Sequence, residues 1–534
     1  MAQTKQIDFK RYINILIFSL SLLPLILFFY VVWNRIALPF VFDWGESAGL
    51  NQISRILSRN DLYVEPTLEF SPLVYTPFYY YLSAGFALLI NDTLLAGRII
   101  SVLALIACAG MIGSLIHKET ENVLLSWISA MSFVACFSLS DGFYDLLRVD
   151  SLYVFLVLIA FSVMRWANRR LSYLFAGILI AAGFFTKQSF IIALFPLIIY
   201  LIIARGKVAW WMVAAGLTAV IIPLVLINYG SDQWFLYYIF DLPREHGYSL
   251  ISALNFWVGD TFRPLGITIA FNVVYLMAFI PTNGQGLSLG GINGEINDKN
   301  PSSEAKEVWR VYGLFIAGAA AAAWITRSSN GGGANNVMVF YAALAMGFGL
   351  GADMIINTHW AQKNDWNYGF IIILISIQFI GLVYNPFRFL PRQEEVIANA
   401  SIINRIERSE KKILIPYRSH LAEKYGHGPQ IHIVNLFELT GYFKGEVQAE
   451  GYLLVDQIRN NICWQEYGVI VLDQPVPWFD DQLALAYYLD EEIAEQDYQA
   501  SELLAWRQGN QGVYLPRVDY DRDRCLQYSQ PGEE

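Results

Sequence analysis

The chain has 534 residues, 55% of them hydrophobic and only 15% charged, with a mean hydropathy of +0.39. Soluble globular proteins carry about 25% charged residues, so the composition excludes an ordinary soluble fold and predicts a polytopic α-helical membrane protein. The net charge of −10 argues against nucleic-acid binding, which needs a basic surface.

That charge is confined to one end. Residues 387–534 hold 14 Lys and Arg against 24 Asp and Glu, while residues 1–386 are neutral. The shift divides the chain into a transmembrane domain, 1–386, and a soluble acidic domain, 387–534. Crossing a bilayer takes about 20 apolar residues. Runs of that kind predict about 11 spans, at 12–33, 95–116, 122–140, 151–168, 172–186, 189–204, 208–227, 264–282, 311–326, 337–357 and 367–385. The first run is too long for a signal-peptide core and reads as a retained span. Residues 77–91 are short and aromatic-rich, better suited to lying in the membrane interface. Lys5, Lys10, Arg11, Lys118, Arg165, Arg169, Arg170, Arg205 and Lys207 all fall on one side if the N-terminus is cytoplasmic. Eleven spans then put the C-terminal domain outside the cytoplasmic membrane.

The first outer loop, 34–94, is long and contains an amphipathic stretch, Ser47–Leu57. Asp43 and Glu46 stand at its start, three residues apart, where one helical face can present both carboxylates. One can serve as a general base while the other orients it or binds a metal. The same pattern is also a common helix start. Arg98 opens the second span, and Arg148 and Asp150 open the fourth. Arg148 offers a fork of donors suited to phosphate, or forms an ordinary interfacial pair with Asp150. Lys187 and Gln188 lie between the fifth and sixth spans, where a lysine calls for an anionic partner or reaches for headgroups. A Trp- and Tyr-rich outer loop, 228–263, contains His246 beside Glu245. One histidine near carboxylates is a poor metal signal. The loop at about 283–310 is rich in Gly, Asn and Ser. A Gly/Asn turn before the tenth span places Asn335 where it can hydrogen-bond a sugar.

The tail predicts a small α/β unit: a helix at about 393–409, strands at Lys412–Pro416, Ile431–Val434 and Tyr467–Asp473, and a helix near 447–460. Cys108 and Cys136 sit in apolar spans as packing residues. Cys463 and Cys525 form a disulfide if the tail is extracytoplasmic, or remain two thiols. Six ionisable groups thus map to one membrane face, and burying each costs at least about 2–3 kcal/mol. Carboxylates and cations collected there fit a phosphate-bearing lipid substrate.

The order of these motifs resembles the GT-C superfamily of glycosyltransferases that use polyprenyl-phosphate-linked sugars, which includes the aminoarabinose-lipid and protein O-mannosyl transferases. The resemblance rests on Asp43 and Glu46 with the helix after them, Pro72-Leu73 and Thr76-Pro77-Phe78-Tyr79, and Ala96-Gly97-Arg98. It continues through Arg148-x-Asp150, Thr186-Lys187-Gln188, the Gly/Asn turn and the late α/β domain. It implies an inverting transfer to an envelope glycan, lipid or protein at the outer face of the cytoplasmic membrane. An acidic residue of the first loop is the implied base. Family members carry adjacent acids, whereas two residues separate them here, so the base is Asp43 or Glu46, with Asp43 preferred. Arg98, Arg148 and Lys187 are the implied phosphate ligands, Gln188, His246 and Asn335 are further candidates for binding the donor phosphate or sugar, and Asp150 orients Arg148 or helps Asp43 and Glu46 hold a divalent cation. The rival classes are a lipid-linked oligosaccharide flippase or other transporter, which favours charges near the bilayer midplane, and a polysaccharide polymerase.

Overall fold

The computed structural model describes residues 2–278, 303–442, 449–474, 476, 478–493 and 511–527. Nine helices lead the chain: α1 Ala2–Arg35, α2 Trp44–Leu57, α3 Phe78–Ile90, α4 Thr93–Thr120, α5 Val123–Ala135, α6 Asp150–Trp166, α7 Arg170–Phe184, α8 Phe190–Arg205 and α9 Trp210–Gly230. Further long helices follow at Ser303–Ser328, Met338–Ile356 and Asp365–Gly381. Among the described residues, seven helices are long and apolar enough to cross a membrane.

The predicted spans at 151–168, 172–186 and 367–385 are helices of 17, 15 and 17 residues. At 1.5 Å per residue these reach roughly 22–26 Å, short of the ~30 Å hydrocarbon thickness. The span placed at 264–282 belongs to a longer rod. Helix Leu250–Trp257 runs through a π-turn, Val258–Phe262, into Arg263–Met277. The last residues of that predicted span, and most of the predicted loop at 283–310, lie outside the described residues.

Packing follows side-chain size. Met338–Met354 is buried at every position, Asp353 included, so this almost wholly apolar helix is the centre of the bundle. Helices α7 and α9 cross at Gly177 and Gly216. A Cβ at Gly177 would lie 2.5 Å from the Met212 carbonyl, so only glycine allows that approach. Charge clusters mark the two ends of α4. Arg98, in its second turn, pairs with Glu46, and Glu119, in its last, takes a hydrogen bond of 2.8 Å from Arg165.

The tail contains helices Gln393–Arg408 and Ala449–Cys463 and a four-stranded sheet of order β1-β2-β4-β3. Strands β1 (Lys412–Leu414) and β2 (Tyr467–Leu472) are parallel, as the βαβ reading requires. Strands β3 (Tyr487–Ile493) and β4 (Gln511–Pro516) extend the sheet antiparallel. The predicted strand at Ile431–Val434 is a helix instead, Ile433–Leu439. His432 caps it by accepting the Val434 N–H, and Ile433, Leu436 and Phe437 then fall on one buried face. That face joins Tyr63 and Phe70 of the first loop and Phe235 and Tyr238 of the aromatic segment in one core. Asn51 donates to Ser419 Oγ at 2.7 Å, and Asn435 donates to the Ser71 carbonyl at 2.8 Å, so the tail sits on the first loop.

Cys463 and Cys525 are bonded to each other, closing a loop of 62 residues. Loop closure of that length stabilises by about 4 kcal/mol in the chain-entropy account. Cys463→Ser is therefore expected to lower the denaturant midpoint of the tail and expose it to protease. Equal midpoints for the two forms would remove the disulfide from the account.

Candidate active site

The site is built where α2 begins. Asp43 is the N-cap of α2, its Oδ2 accepting the Gly45 N–H at 2.7 Å, so the helix-start reading holds. The same oxygen accepts a hydrogen bond from Arg148 Nη1 at 2.5 Å. Oδ1 takes no hydrogen bond among the described residues. Gly45 is what lets Arg148 approach, because a Cβ there would lie 1.9 Å from Arg148 Nη1. Arg148 also lies over the Phe143 ring at 4.9 Å.

From Arg148 the network runs inward. Its Nε donates to Asp150 Oδ2 at 3.4 Å. Asp150 Oδ1 accepts from Lys187 Nζ at 2.7 Å and from Asn335 Nδ2 at 3.0 Å. Lys187 Nζ donates in addition to Asn336 Oδ1 at 2.8 Å. Asp43, Arg148, Asp150, Lys187 and Asn335 thus form one chain drawn from α2, the α6 start, the α7–α8 turn and the Gly/Asn turn. Burial alone would lower the Arg148 guanidinium, but Asp43 and Asp150 outweigh it and raise it above its ordinary value, so Arg148 stays cationic. Arg148 Nη2 and one Lys187 N–H carry no hydrogen bond among the described residues.

Glu46 and Arg98 stand beside this chain as a closed pair. Arg98 donates from Nε to Glu46 Oε1 at 2.9 Å and from Nη2 to Oε2 at 2.8 Å. Its remaining donors go to the carbonyls of Arg35, Ile36, Leu38 and Phe40. Glu46 also accepts the N–H groups of Phe42 at 2.8 Å and Leu147 at 2.9 Å. Burial would raise its carboxyl, but the Arg98 guanidinium and the two N–H groups outweigh that and hold it below the ordinary value. Arg98 has no donor left for an outside anion, and Glu46 is fully buried. That differs from the expectation that Arg98 faces a lipid phosphate. Four carbonyls between Arg35, the last residue of α1, and Phe40 gather around this one guanidinium because the helix has ended and they have no donor four residues on.

Two other predicted site residues bind protein. Gln188 Nε2 donates to the carbonyls of Val74 at 2.8 Å and Ile239 at 3.1 Å, stapling the first loop to the aromatic segment. His246 pairs with Glu438 of the tail. The carboxylates first considered for a divalent cation, Asp43, Glu46 and Asp150, each face an arginine or lysine, so they do not fit such an ion. Among the described residues no three His, Cys, Asp or Glu side chains gather as metal ligands.

Reading along the sequence overlooked several groups. Arg35 and Asp145 form a buried ion pair, and Arg35 Nη2 also donates to the Gly142 carbonyl at 2.6 Å. An arginine closing an apolar span was the available signal. The tail adds His420, whose Nδ1 lies 2.8 Å from Ser47 Oγ on α2. Burial lowers both His420 and His432 to about 3. With folded values depressed below the ordinary 6.5, neutral histidines contribute stability that is complete above pH 6.5 and is lost as pH falls below it. The unfolding midpoint is therefore expected to drop between pH 7.5 and 5.0, with a smaller drop in His420→Asn. An equal drop in both would clear His420 of this role.

No protein-family profile matches the chain, and no curated protein matches it either. Solved structures do. The helical bundle with its small C-terminal sheet has the fold of the ArnT structures. In particular, it is similar to ArnT from Cupriavidus metallidurans bound to undecaprenyl phosphate, with a TM-score of 0.57, 12% identity, and coverage of 94% of this chain and 98% of that one. The apo state of the same enzyme aligns over 100% of both chains with the same score. At 12% identity this is a likeness of fold.

Proposed function

We propose that the protein is an inverting glycosyltransferase of the outer face of the cytoplasmic membrane, moving a sugar from a polyprenyl-phosphate donor to an acceptor hydroxyl on an envelope glycan, lipid or protein. The observation that carries this reading is Asp43. Its Oδ2 is fixed by Gly45 and Arg148, its Oδ1 is unengaged among the described residues, and Arg148 links it to Asp150 and Lys187. A similar fold solved with undecaprenyl phosphate supports a lipid-phosphate donor. The Cys463–Cys525 disulfide supports an oxidising compartment for the tail.

In this mechanism Asp43 accepts the proton of the acceptor hydroxyl. The acceptor oxygen forms a bond to the anomeric carbon from the face opposite the phosphate. The bond between that carbon and the phosphate oxygen breaks, and polyprenyl phosphate leaves with the electron pair. Arg148 Nη2 and Lys187 hold the charge that develops on the leaving phosphate. Asp150 aims both cations, and Asn335 fixes Asp150. Glu46 and Arg98 lock the start of α2 against α4, while Gln188 and His246 hold the surrounding loops.

Lys187→Ala is expected to weaken donor binding, read as KM for the lipid donor, more than it lowers kcat. Donor affinity equal to that of the wild type would remove Lys187 from the phosphate site.

A further inference from the structure

One helix of the tail carries a face that the transfer chemistry does not use. In Ala449–Cys463, Leu454, Ile458, Ile462 and Cys463 are buried in the tail core. Gln457, Asn460, Asn461 and Trp464 recur at helical spacing on the other side. The Trp464 N–H donates to the Asn460 carbonyl at 2.8 Å, so the last turn carries the indole onto that face. These four residues, with Leu68 of the first loop and Glu466, line one shallow depression. Neither Asp43 nor any cation of the donor site belongs to its lining.

The groups in this depression are open to a ligand. Trp464 is 53% exposed, and its indole N–H takes no hydrogen-bond partner among the described residues. The side chains of Gln457 and Asn460 are exposed and unpaired among the same residues. Asn461 donates to the Tyr467 hydroxyl at 3.3 Å and keeps its carbonyl oxygen. The indole is also fixed in advance. Arg522 lies over its ring, 4.4 Å from the centroid. The Cys463–Cys525 disulfide ties the residue before Trp464 to the helix that carries Arg522, Arg522–Gln527. A side chain already ordered loses little entropy when a ligand arrives.

The chemistry of the lining selects the ligand. A sugar ring has an apolar C–H face, which an indole covers, and hydroxyls, which amides meet as both donors and acceptors. Residues 387–534 are acidic, yet this face is close to neutral. Its one carboxylate, Glu466, faces Lys412 at 3.8 Å, and neighbouring Asp456 pairs with Arg459 at 2.8 Å. Arg522 stands between Asp521 and Asp523 in the chain. A basic peptide or an anionic lipid headgroup therefore meets no concentrated opposite charge.

We infer that this face is a glycan-docking site, separate from the reacting centre, that holds a neutral stretch of an oligosaccharide chain. The inference goes beyond the transferase reading and does not depend on it. One sugar ring lies against the open face of Trp464, and its hydroxyls meet Gln457, Asn460 and Asn461.

The test uses the full-length protein in nanodiscs, labelled with 5-fluorotryptophan. The Trp464 fluorine resonance is assigned as the one lost in Trp464→Phe. Maltohexaose, chitohexaose, mannohexaose and laminarihexaose are titrated in turn, and polyprenyl phosphate binding is measured separately. At least one hexasaccharide is expected to move the Trp464 resonance along a saturable curve. The double variant Gln457→Ala, Asn460→Ala is expected to weaken that glycan about fivefold. Trp464→Ala, followed by saturation-transfer NMR, is expected to weaken it at least about tenfold. Polyprenyl phosphate binding is expected to stay unchanged in both. Failure of all four glycans to move the resonance overturns the inference, as does a glycan affinity indifferent to these substitutions. Broadening of the Trp464 resonance by a spin-labelled headgroup lipid in the glycan-free protein overturns it too, and makes the face a membrane contact. Glycan docking that meets these expectations in a protein with no affinity for polyprenyl phosphate keeps this site and overturns the transferase reading.

Discussion

Asp43→Asn is expected to lower glycosyl transfer by about a thousandfold while the protein folds as before, because a positioned general base contributes about 10²–10⁴ in rate. The substitution is well matched to the question. Asparagine caps a helix as well as aspartate does, so the hydrogen bond from the Gly45 N–H can persist and α2 keeps its start. An amide cannot take the acceptor's proton. Arg148 loses a charged partner but keeps Asp150. The expected signature is an unchanged unfolding midpoint, unchanged donor binding and a collapse in kcat. Transfer at the wild-type rate would remove Asp43 as the base.

Arg98→Met is expected to act in the opposite way, through stability. Removing one partner of a buried ion pair costs about 3–5 kcal/mol because the other charge is left without compensation. Here Glu46 would be stranded, at 0% exposure, with only the Phe42 and Leu147 N–H groups for company. The carbonyls of Arg35 and of Leu38, just beyond α1, would lose their shared donor as well. Low yield and a depressed unfolding midpoint should follow, and adding Glu46→Gln should recover part of the loss, since the stranded charge is gone. An Arg98→Met protein as stable as the wild type, but unable to bind the lipid donor, would return Arg98 to the phosphate site.

The contrast between Asp43 and Glu46 shows what could be read from the sequence. Two acids three residues apart at the mouth of a long loop were visible, as were Arg98, Arg148, Asp150 and Lys187 at the ends of apolar runs. Apolar periodicity is local, so the helices and the amphipathic α2 followed from it. Which acid faces which cation was not visible. The Glu46–Arg98 pair joins residues 52 apart, and the Lys187–Asn336 bond joins residues 149 apart. Only the tertiary fold decides that Arg98 exhausts its donors on Glu46 and on carbonyls while Arg148 keeps some. The tail shows the same limit. Ile431–Val434 is a short apolar run that suits a strand or a helix, and His432, as a cap, settled it as a helix. The β3–β4 pair interrupts its apolar pattern with acids, Asp490, Glu491 and Glu492, and so escaped notice.

The most direct measurement is the release of polyprenyl phosphate from a panel of radiolabelled polyprenyl-phosphate sugars, using purified full-length protein with envelope extract as the source of acceptor, wild type beside Asp43→Asn. Lipid phosphate and labelled product formed together by the wild type alone are the predicted result. Labelled lipid that crosses a proteoliposome membrane chemically unchanged, with no product from any donor, would contradict the transferase account and make the protein a transporter.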